Sequence, residues 1–182
     1  MVWIIVIAVV VLVLMYVIGT YNSLVGLRNK VEDSWAQIEV LLKRRADLIP
    51  NLVETVKGYA KHEEGTLKEV VEARNKAVSA TTKEDEMQAA GEVTQALSRL
   101  FALTEAYPDL KSNTNFMDLQ SNLKETEDKL SFSRQFYNDI VLKYKDKLQM
   151  FPSNIVASLF NFKPAPFFEA SEEDRKVPEV KF

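Results

Sequence analysis

Four charged side chains stand where the surrounding spacing calls for apolar ones: Glu63, Arg74, Glu127 and Arg134. A charge on an apolar stripe is costly unless it is paired, because burial strips its water. Two acids and two arginines match in number. That points to an interhelical ion-pair set fixing the register of packed helices. The chemical alternative is a general acid–base pair or a carboxylate site, formed where Glu63, Glu105 or Glu127 converge in a cleft. Arginine does not titrate near neutrality and no nucleophile accompanies these acids, so structural pairing is the favoured reading. Glu127 and Arg134 are expected to be mostly buried, each against an opposite charge on a neighbouring helix.

Other chemistry is limited by what the chain lacks. Its one histidine, His62, lies between Lys61 and Glu63–Glu64, and such a charged run reads as solvated surface. A di-iron bundle needs two Glu-x-x-His pairs, and Tyr59 occupies the position three before His62. No H-E-x-x-H, G-x-S-x-G, P-loop or G-x-G-x-x-G motif occurs. With no cysteine, disulfides, thiol catalysis, zinc–thiolate sites, iron–sulfur clusters and a Cys-linked lipid anchor are excluded. The chain has 182 residues, and 23 Lys plus Arg against 26 Asp plus Glu give a net charge of -3. One domain of ordinary size is expected, without the basic excess that nucleic-acid binding requires. No catalytic, cofactor-binding or metal-ligating residue is assigned, no cofactor or small-molecule substrate is expected, and the protein is read as non-enzymatic.

The elements that would carry these residues are helical. Few glycines and prolines, with many Ala, Leu, Glu and Lys, favour helices. Leu24, Leu27, Val31, Trp35, Ile38 and Leu42 form a first stripe at steps of three and four. The basic trio Lys43–Arg44–Arg45 suits a helix C-terminus. Asp47 is then a candidate N-cap, with Pro50 in the first turn of a second helix. The second stripe runs through Leu52, Val56, Tyr59, Glu63, Leu67, Val70, Arg74 and Ala77. Thr81–Asp85 reads as a polar turn. A third stripe, Met87 to Thr104, is stopped by Pro108, and Asn113–Asn115 offers caps for a fourth, Phe116 to Phe151. No segment alternates at period two. The expected fold is all-α: an N-terminal transmembrane helix and an elongated antiparallel four-helix bundle.

Residues 1–18 are uniformly apolar or aromatic, and the first charged side chain is Arg28. Such a run spans about 27 Å as a helix, close to the hydrocarbon thickness of a bilayer. A cleaved signal peptide would carry a basic n-region and a small-x-small cleavage site, and neither is present. A retained single-pass anchor is therefore expected, with Trp3 and Tyr16 near its ends and Gly19 and Gly26 as the candidate hinges of a rod of roughly 65 Å. Arg28, Lys30 and Lys43–Arg45 follow the run, which favours the N-terminus outside and the long domain in the cytoplasm.

After Met150 the composition changes: residues 151–182 hold six of the ten phenylalanines and four of the six prolines. A short helix is expected over Ser153–Phe160, with a cap at Ser153, then an extended strap imposed by Pro164 and Pro166. Ile155, Val156, Leu159, Phe160 and Phe162 are too apolar to stay solvated, so they must fold back or meet a partner. The strap is placed at the end far from the membrane or along the side, and Glu169–Glu179 is expected to be loose. The chain is thus divided into residues 1–20, the transmembrane helix; 21–151, the bundle; and 152–182, the Phe/Pro-rich segment with its acidic tail. Tyr137–Val141 repeats the YNxxV pattern of Tyr21–Val25, by coincidence or as a shared packing device.

Several stretches closely resemble the LemA family. They include Tyr21-Asn-Ser-Leu-Val, Leu42-Lys-Arg-Arg-Ala-Asp-Leu-Ile-Pro-Asn-Leu52, Val56-Lys-Gly-Tyr-Ala60, Ala73–Arg74 and Glu105-Ala-Tyr-Pro-Asp-Leu110. Tyr137–Asn138 and Phe151–Pro152 add to the likeness, which covers about residues 20–170. The resemblance implies a bacterial membrane protein with an N-terminal membrane helix, an outside N-terminus and a long antiparallel helical domain. Some members of that family serve in making magnetosome membranes. The resemblance implies no catalytic residue and no cofactor. The combined expectation is a single-pass cell-membrane scaffold or adaptor. It would contact the bilayer through residues 1–20 and act by homo-oligomerisation or through a membrane-protein partner. An accessory regulator of a membrane enzyme, such as a membrane protease, or an unrecognised enzyme is the alternative.

Overall fold

The three-and-four spacing of the apolar residues translates into helices throughout. A computed structural model describes residues 1–168, and no strand occurs among them. The helices are α1 (Val2–Tyr59), α2 (Glu64–Ser79), α3 (Lys83–Thr104), α4 (Pro108–Lys111), α5 (Thr114–Gln149) and α6 (Ser153–Leu159). The fold is all-α, and α1 contains the one described helix long and apolar enough to cross a membrane. Glu169–Glu179, expected to be loose, lies outside the described residues.

The described chain forms two compact units. One comprises Met1–Gln37 with Gln135–Phe167; the other comprises Ile38–Arg134 with Phe168. In the first, Leu24, Val31 and Trp35 of α1 are buried with Tyr137, Val141 and Tyr144 of α5. Trp35 meets Tyr137 edge-on, with ring centroids 5.4 Å apart. Residues 2–18 continue the same helix and are exposed except for the half-buried Val17. Gly19 and Gly26, the candidate hinges, interrupt nothing. In the second unit, one apolar cluster joins Ile49, Leu52 and Val56 of α1 to Leu67 and Val70 of α2, Val93, Leu97 and Leu100 of α3, Leu110 of α4, and Phe116 and Leu123 of α5.

Two helix boundaries differ from expectation. Asp47 caps nothing, because α1 continues through Pro50 to Tyr59. A proline inside a helix removes one N–H and leaves the carbonyl four residues earlier without its donor. Here that carbonyl belongs to the buried Ala46, and Arg74 Nε of α2 donates to it at 3.3 Å. Pro50 itself faces solvent, where its ring meets no packed neighbour. The actual break lies at Ala60–Glu63, inside what the stripe presents as one helix. Glu63 is therefore the N-cap residue of α2 and not a position on a helical face.

The remaining ends follow local capping rules. Thr82 Oγ1 accepts from the Asp85 N–H at 3.1 Å and starts α3 within the expected polar turn. Pro108 opens α4 in its first turn. Asn113 Oδ1 accepts from the Phe116 N–H at 3.0 Å and starts α5. Ser153 acts differently from expectation. Its side chain makes no cap for α6; its buried hydroxyl lies 2.7 Å from the Lys147 carbonyl and 2.8 Å from that of Met150, at the open end of α5.

The Ala46–Arg74 bond predicts a specific coupling. Arg74→Met should lower the unfolding free energy by about 1–2 kcal/mol, because it orphans a buried carbonyl. In a Pro50→Ala background the loss should shrink, since the substituted alanine restores the missing N–H. Chemical denaturation of the four proteins in this double-mutant cycle measures it, and purely additive effects would refute the assignment.

Candidate functional site

The polar centre of the second unit is built around Arg45, not around the four charges that the stripes single out. Arg45 is 1% exposed. Its Nη1 donates to Glu127 Oε1 at 2.5 Å and to Thr94 Oγ1 at 3.0 Å, and its Nη2 donates to the Ala90 carbonyl at 3.1 Å. Thr94 Oγ1 itself donates to the Ala90 carbonyl at 3.0 Å. One guanidinium thereby links α1, α3 and α5. Glu127 is the wetter partner, with its side chain 29% exposed, so it is half-buried and not mostly buried as expected.

The signal for Arg45 was present in the spacing. Ile38, Leu42, Arg45, Ile49, Leu52 and Val56 follow one another at steps of four, three, four, three and four. The same run also shows α1 to be unbroken across Pro50. Reading Lys43–Arg44–Arg45 as a helix C-terminus conceals both facts. Lys43 is indeed exposed, and Arg44 reaches Asn122 and Glu125 on α5 at 3.4 and 3.5 Å. The neighbouring Lys129 and then Arg44 hold the Glu125 carboxyl below its ordinary range.

The other candidates go to separate partners. Glu63 accepts from the Tyr107 hydroxyl at 3.0 Å, and that bond raises the phenol above its usual value. Glu105 accepts from Lys111 at 2.5 Å. Arg74 serves the Ala46 carbonyl. Arg134 is half-buried, with its guanidinium 4.5 Å from the centre of the Phe168 ring. His62 is exposed in the turn before α2, as expected. Elsewhere in this unit, burial, then the nearby Glu39 charge, raise the Glu86 carboxyl.

A groove of about 540 Å³ opens beside this centre, between Thr94, Ser98 and Phe101 of α3 and Met117, Lys124 and Glu127 of α5. Neither Glu63 nor Glu105 lines it. The Ser98 hydroxyl is turned onto the Thr94 carbonyl at 2.9 Å, and Glu127 is held by Arg45. The groove is thus suited to an apolar side chain with a basic or acidic rim, while the hydroxyl and carboxylate beside it are already committed to the fold.

The second feature of interest is the C-terminal strap of the first unit. After α6 it runs back along the same unit. Tyr21 packs against Phe160 and Phe162, with ring centroids 4.8 and 5.6 Å away. Arg28 lies 5.5 Å from the Phe162 ring and Lys145 lies 5.3 Å from that of Phe167. Tyr137 donates its hydroxyl to the Pro166 carbonyl at 2.8 Å. The tyrosines of the two YNxxV runs therefore hold the same strap at different points, although Tyr137 is buried and Tyr21 is partly exposed. The apolar segment folds back along the side of this unit, one of its two expected places, starting against Tyr21 just after the apolar run and not at the end remote from it. The α5 helix is antiparallel to α1 in this unit and delivers the strap there.

The LemA family model matches residues 34–182, well over half of the chain. The chain belongs to the LemA family. Among curated relatives, Protein LemA of Metamycoplasma hominis is 24% identical over 159 residues, covering 87% of this chain and 73% of that protein. Magnetosome protein MamQ 2 of Paramagnetospirillum magneticum is 25% identical over 175 residues, covering 82% of this chain and 64% of its own length. Magnetosome protein MamQ of Magnetospirillum gryphiswaldense is 25% identical over 174 residues, with 81% and 64% covered. The LemA-type chain thus spans less than two thirds of the magnetosome relatives. None of these relatives is named for a reaction. Family, relatives and apolar helix together describe a membrane-associated LemA-type protein.

Removing one partner of the Arg45–Glu127 pair should be severe. Glu127→Ala should destabilise by about 3–5 kcal/mol, because a buried guanidinium loses its counter-charge, whereas Arg45→Met with Glu127→Leu should recover most of that loss. Denaturant midpoints of the single and double variants test it. The tyrosines give an opposed pair. Tyr137→Phe should cost about 1 kcal/mol through its lost bond to Pro166, while Tyr144→Phe should be neutral or stabilising, since the buried Tyr144 hydroxyl has no hydrogen-bond partner among the described residues. Equal losses in thermal unfolding would contradict this.

Proposed function

We propose that this protein is a single-pass membrane scaffold or adaptor, which presents helix faces to protein partners or to further copies of itself. The observation that carries the reading is that the apolar run of α1 passes without a break into Thr20, Leu24, Val31 and Trp35, all buried in the first unit. The folded chain therefore begins where the anchor ends. Arg28 and Lys30, on the flank that follows the run, favour an outside N-terminus and a cytoplasmic body.

Engagement of the polar groups supports a binding role over catalysis. Glu63, Glu105 and Glu127 are tied to three different partners, and the groove beside Glu127 holds neither of the other two acids. Its walls favour an apolar contact. The likeness to magnetosome proteins supports work at a membrane.

Native-lipid extraction of the full chain, followed by mass measurement and particle imaging, tests this. The expected particle is heavier than one copy, and deletion of residues 1–20 should leave a soluble protein with its helical circular dichroism retained. A full chain that extracts as a lone monomer would sink the scaffold reading. A mature form beginning near residue 20 in cells would sink the anchor.

A further inference from the structure

The α6 helix is apolar on two sides. Ser153, Val156 and Ala157 are buried against the first unit. On the other side Ile155 and Leu159, four apart, are 59% and 72% exposed; Phe151 in the turn before the helix is 80% exposed, and Met150 and Phe160 at its two ends are 60% and 47% exposed. A helix with apolar residues on two sides is ordinarily covered on both. The fold encloses only one side, and isolated exposed hydrophobics do not account for five in one place.

The position of this face follows from helix arithmetic. Trp35 and Tyr137 touch. From Trp35 back to Tyr21 the α1 helix descends about 21 Å, and from Tyr137 to Met150 the antiparallel α5 descends about 20 Å. Met150 and Phe151 therefore lie level with Tyr21. The strap confirms the height. It leaves Phe160 and Phe162 against Tyr21 and rises toward Tyr137, whose hydroxyl donates to the Pro166 carbonyl. The chain thus reaches its lowest point at α6, between a descending helix and an ascending strap. Tyr21 follows the last residue of the apolar run, Ile18, by only about 4.5 Å of helix, and its side chain tilts back toward the N-terminus.

We propose that α6 and the turn before it form a second membrane contact. Phe151, Ile155 and Leu159 enter the interfacial layer of the leaflet from which α1 emerges. The proposal rests on residues 2–18 spanning that bilayer. Charge at this end suits an anionic lipid surface. Lys143 and Lys145 on the last turns of α5, Lys163 on the strap, and Arg28 on α1 are all exposed, and Lys147 is half-buried. Asp146, half-buried among them, is the nearest acid in sequence. Polybasic flanks of this kind each gain from anionic headgroups, while the aromatic and aliphatic side chains supply the buried area. The contact would be an in-plane foot and not a second span, since α6 has seven residues.

The absence of cysteine allows a clean test. Full chains carrying Leu159→Cys, Ile155→Cys, Val10→Cys or Val78→Cys are labelled with the environment-sensitive fluorophore NBD. They are reconstituted into phosphatidylcholine vesicles with and without phosphatidylglycerol. Probes at 159 and 155 should be blue-shifted and quenched by lipids bearing a nitroxide near the headgroup, more strongly with phosphatidylglycerol present. The probe at 78, an exposed apolar position on α2, should stay accessible to aqueous iodide. Iodide access at 159 and 155 equal to that at 78, with the probe at 10 buried in lipid, would overturn the foot and leave the anchor standing. An iodide-accessible probe at 10 would overturn both. A blue shift at 159 without lipid quenching, lost when vesicles are diluted with excess lipid, would overturn the proposal in favour of a second copy covering this face.

Discussion

A guanidinium can be removed from water only where its donors meet acceptors, and that requirement organises the second unit. Arg45 lies on the apolar face of α1, and its acceptors come from α3 and α5: the Glu127 carboxylate, the Thr94 hydroxyl and the Ala90 carbonyl. These acceptors are fixed on different helices, so the bonds specify which turn of each helix faces which. Leu–Leu contacts tolerate a slip of one turn far better, because apolar packing is not directional. Around this point the core of Leu52, Val56, Leu97, Leu100 and Leu123 supplies the bulk of the burial, while the ion pair supplies register. The Ala46 carbonyl adds a second directional contact on the same helix, one turn before Pro50 and filled from α2 by Arg74.

How much of this was legible in the sequence follows from which signals are local. Periodicity is local, so the helical class, the apolar run, the polar turn at Thr81–Asp85, the stop before Pro108 and the cap at Asn113 are read from neighbouring residues, whereas the short α4 that Pro108 opens is not. The continuity of α1 through Pro50 was not, because it depends on a donor supplied from residue 74. The break at Ala60–Glu63 was hidden for another reason: α2 resumes in nearly the same phase, so the stripe looks uninterrupted. At the candidate site, Glu127 was recognised from its place among leucines. Arg45 escaped because two exposed basic neighbours gave it the look of a solvated helix end, although its own spacing from Ile38 and Ile49 put it on the buried face.

The two features described as functional differ in kind. The groove between α3 and α5 lies beside a Ser98 hydroxyl and a Glu127 carboxylate that are bound within the fold, and Leu97, Phe101, Met117 and Leu123 give it apolar walls. The strap belongs to the first unit and is held by aromatic packing, two cations over phenylalanine rings and one tyrosine bond. Each of these contacts is modest alone, and they are spread along the segment from Phe160 to Pro166 and Phe167. Membership of the LemA family sets both features in a lineage that includes proteins named for the magnetosome.

The composition of the first unit from residues 1–37 and 135–167 has a consequence for biogenesis. The ribosome makes the apolar helix and its Leu24–Val31–Trp35 face first, then roughly a hundred residues of the other unit, and only afterwards the helix and strap that cover that face. At about 5–20 residues per second, the face waits on the order of 5–20 s for its partner. During that interval the second unit has all of its buried residues from Ile49 to Leu123 available and can fold on its own timetable. The first unit is therefore completed last, by residues 135–167 closing on residues 1–37. A nascent or truncated product would leave Trp35 and Leu24 uncovered, in the form that quality-control proteases and chaperones recognise.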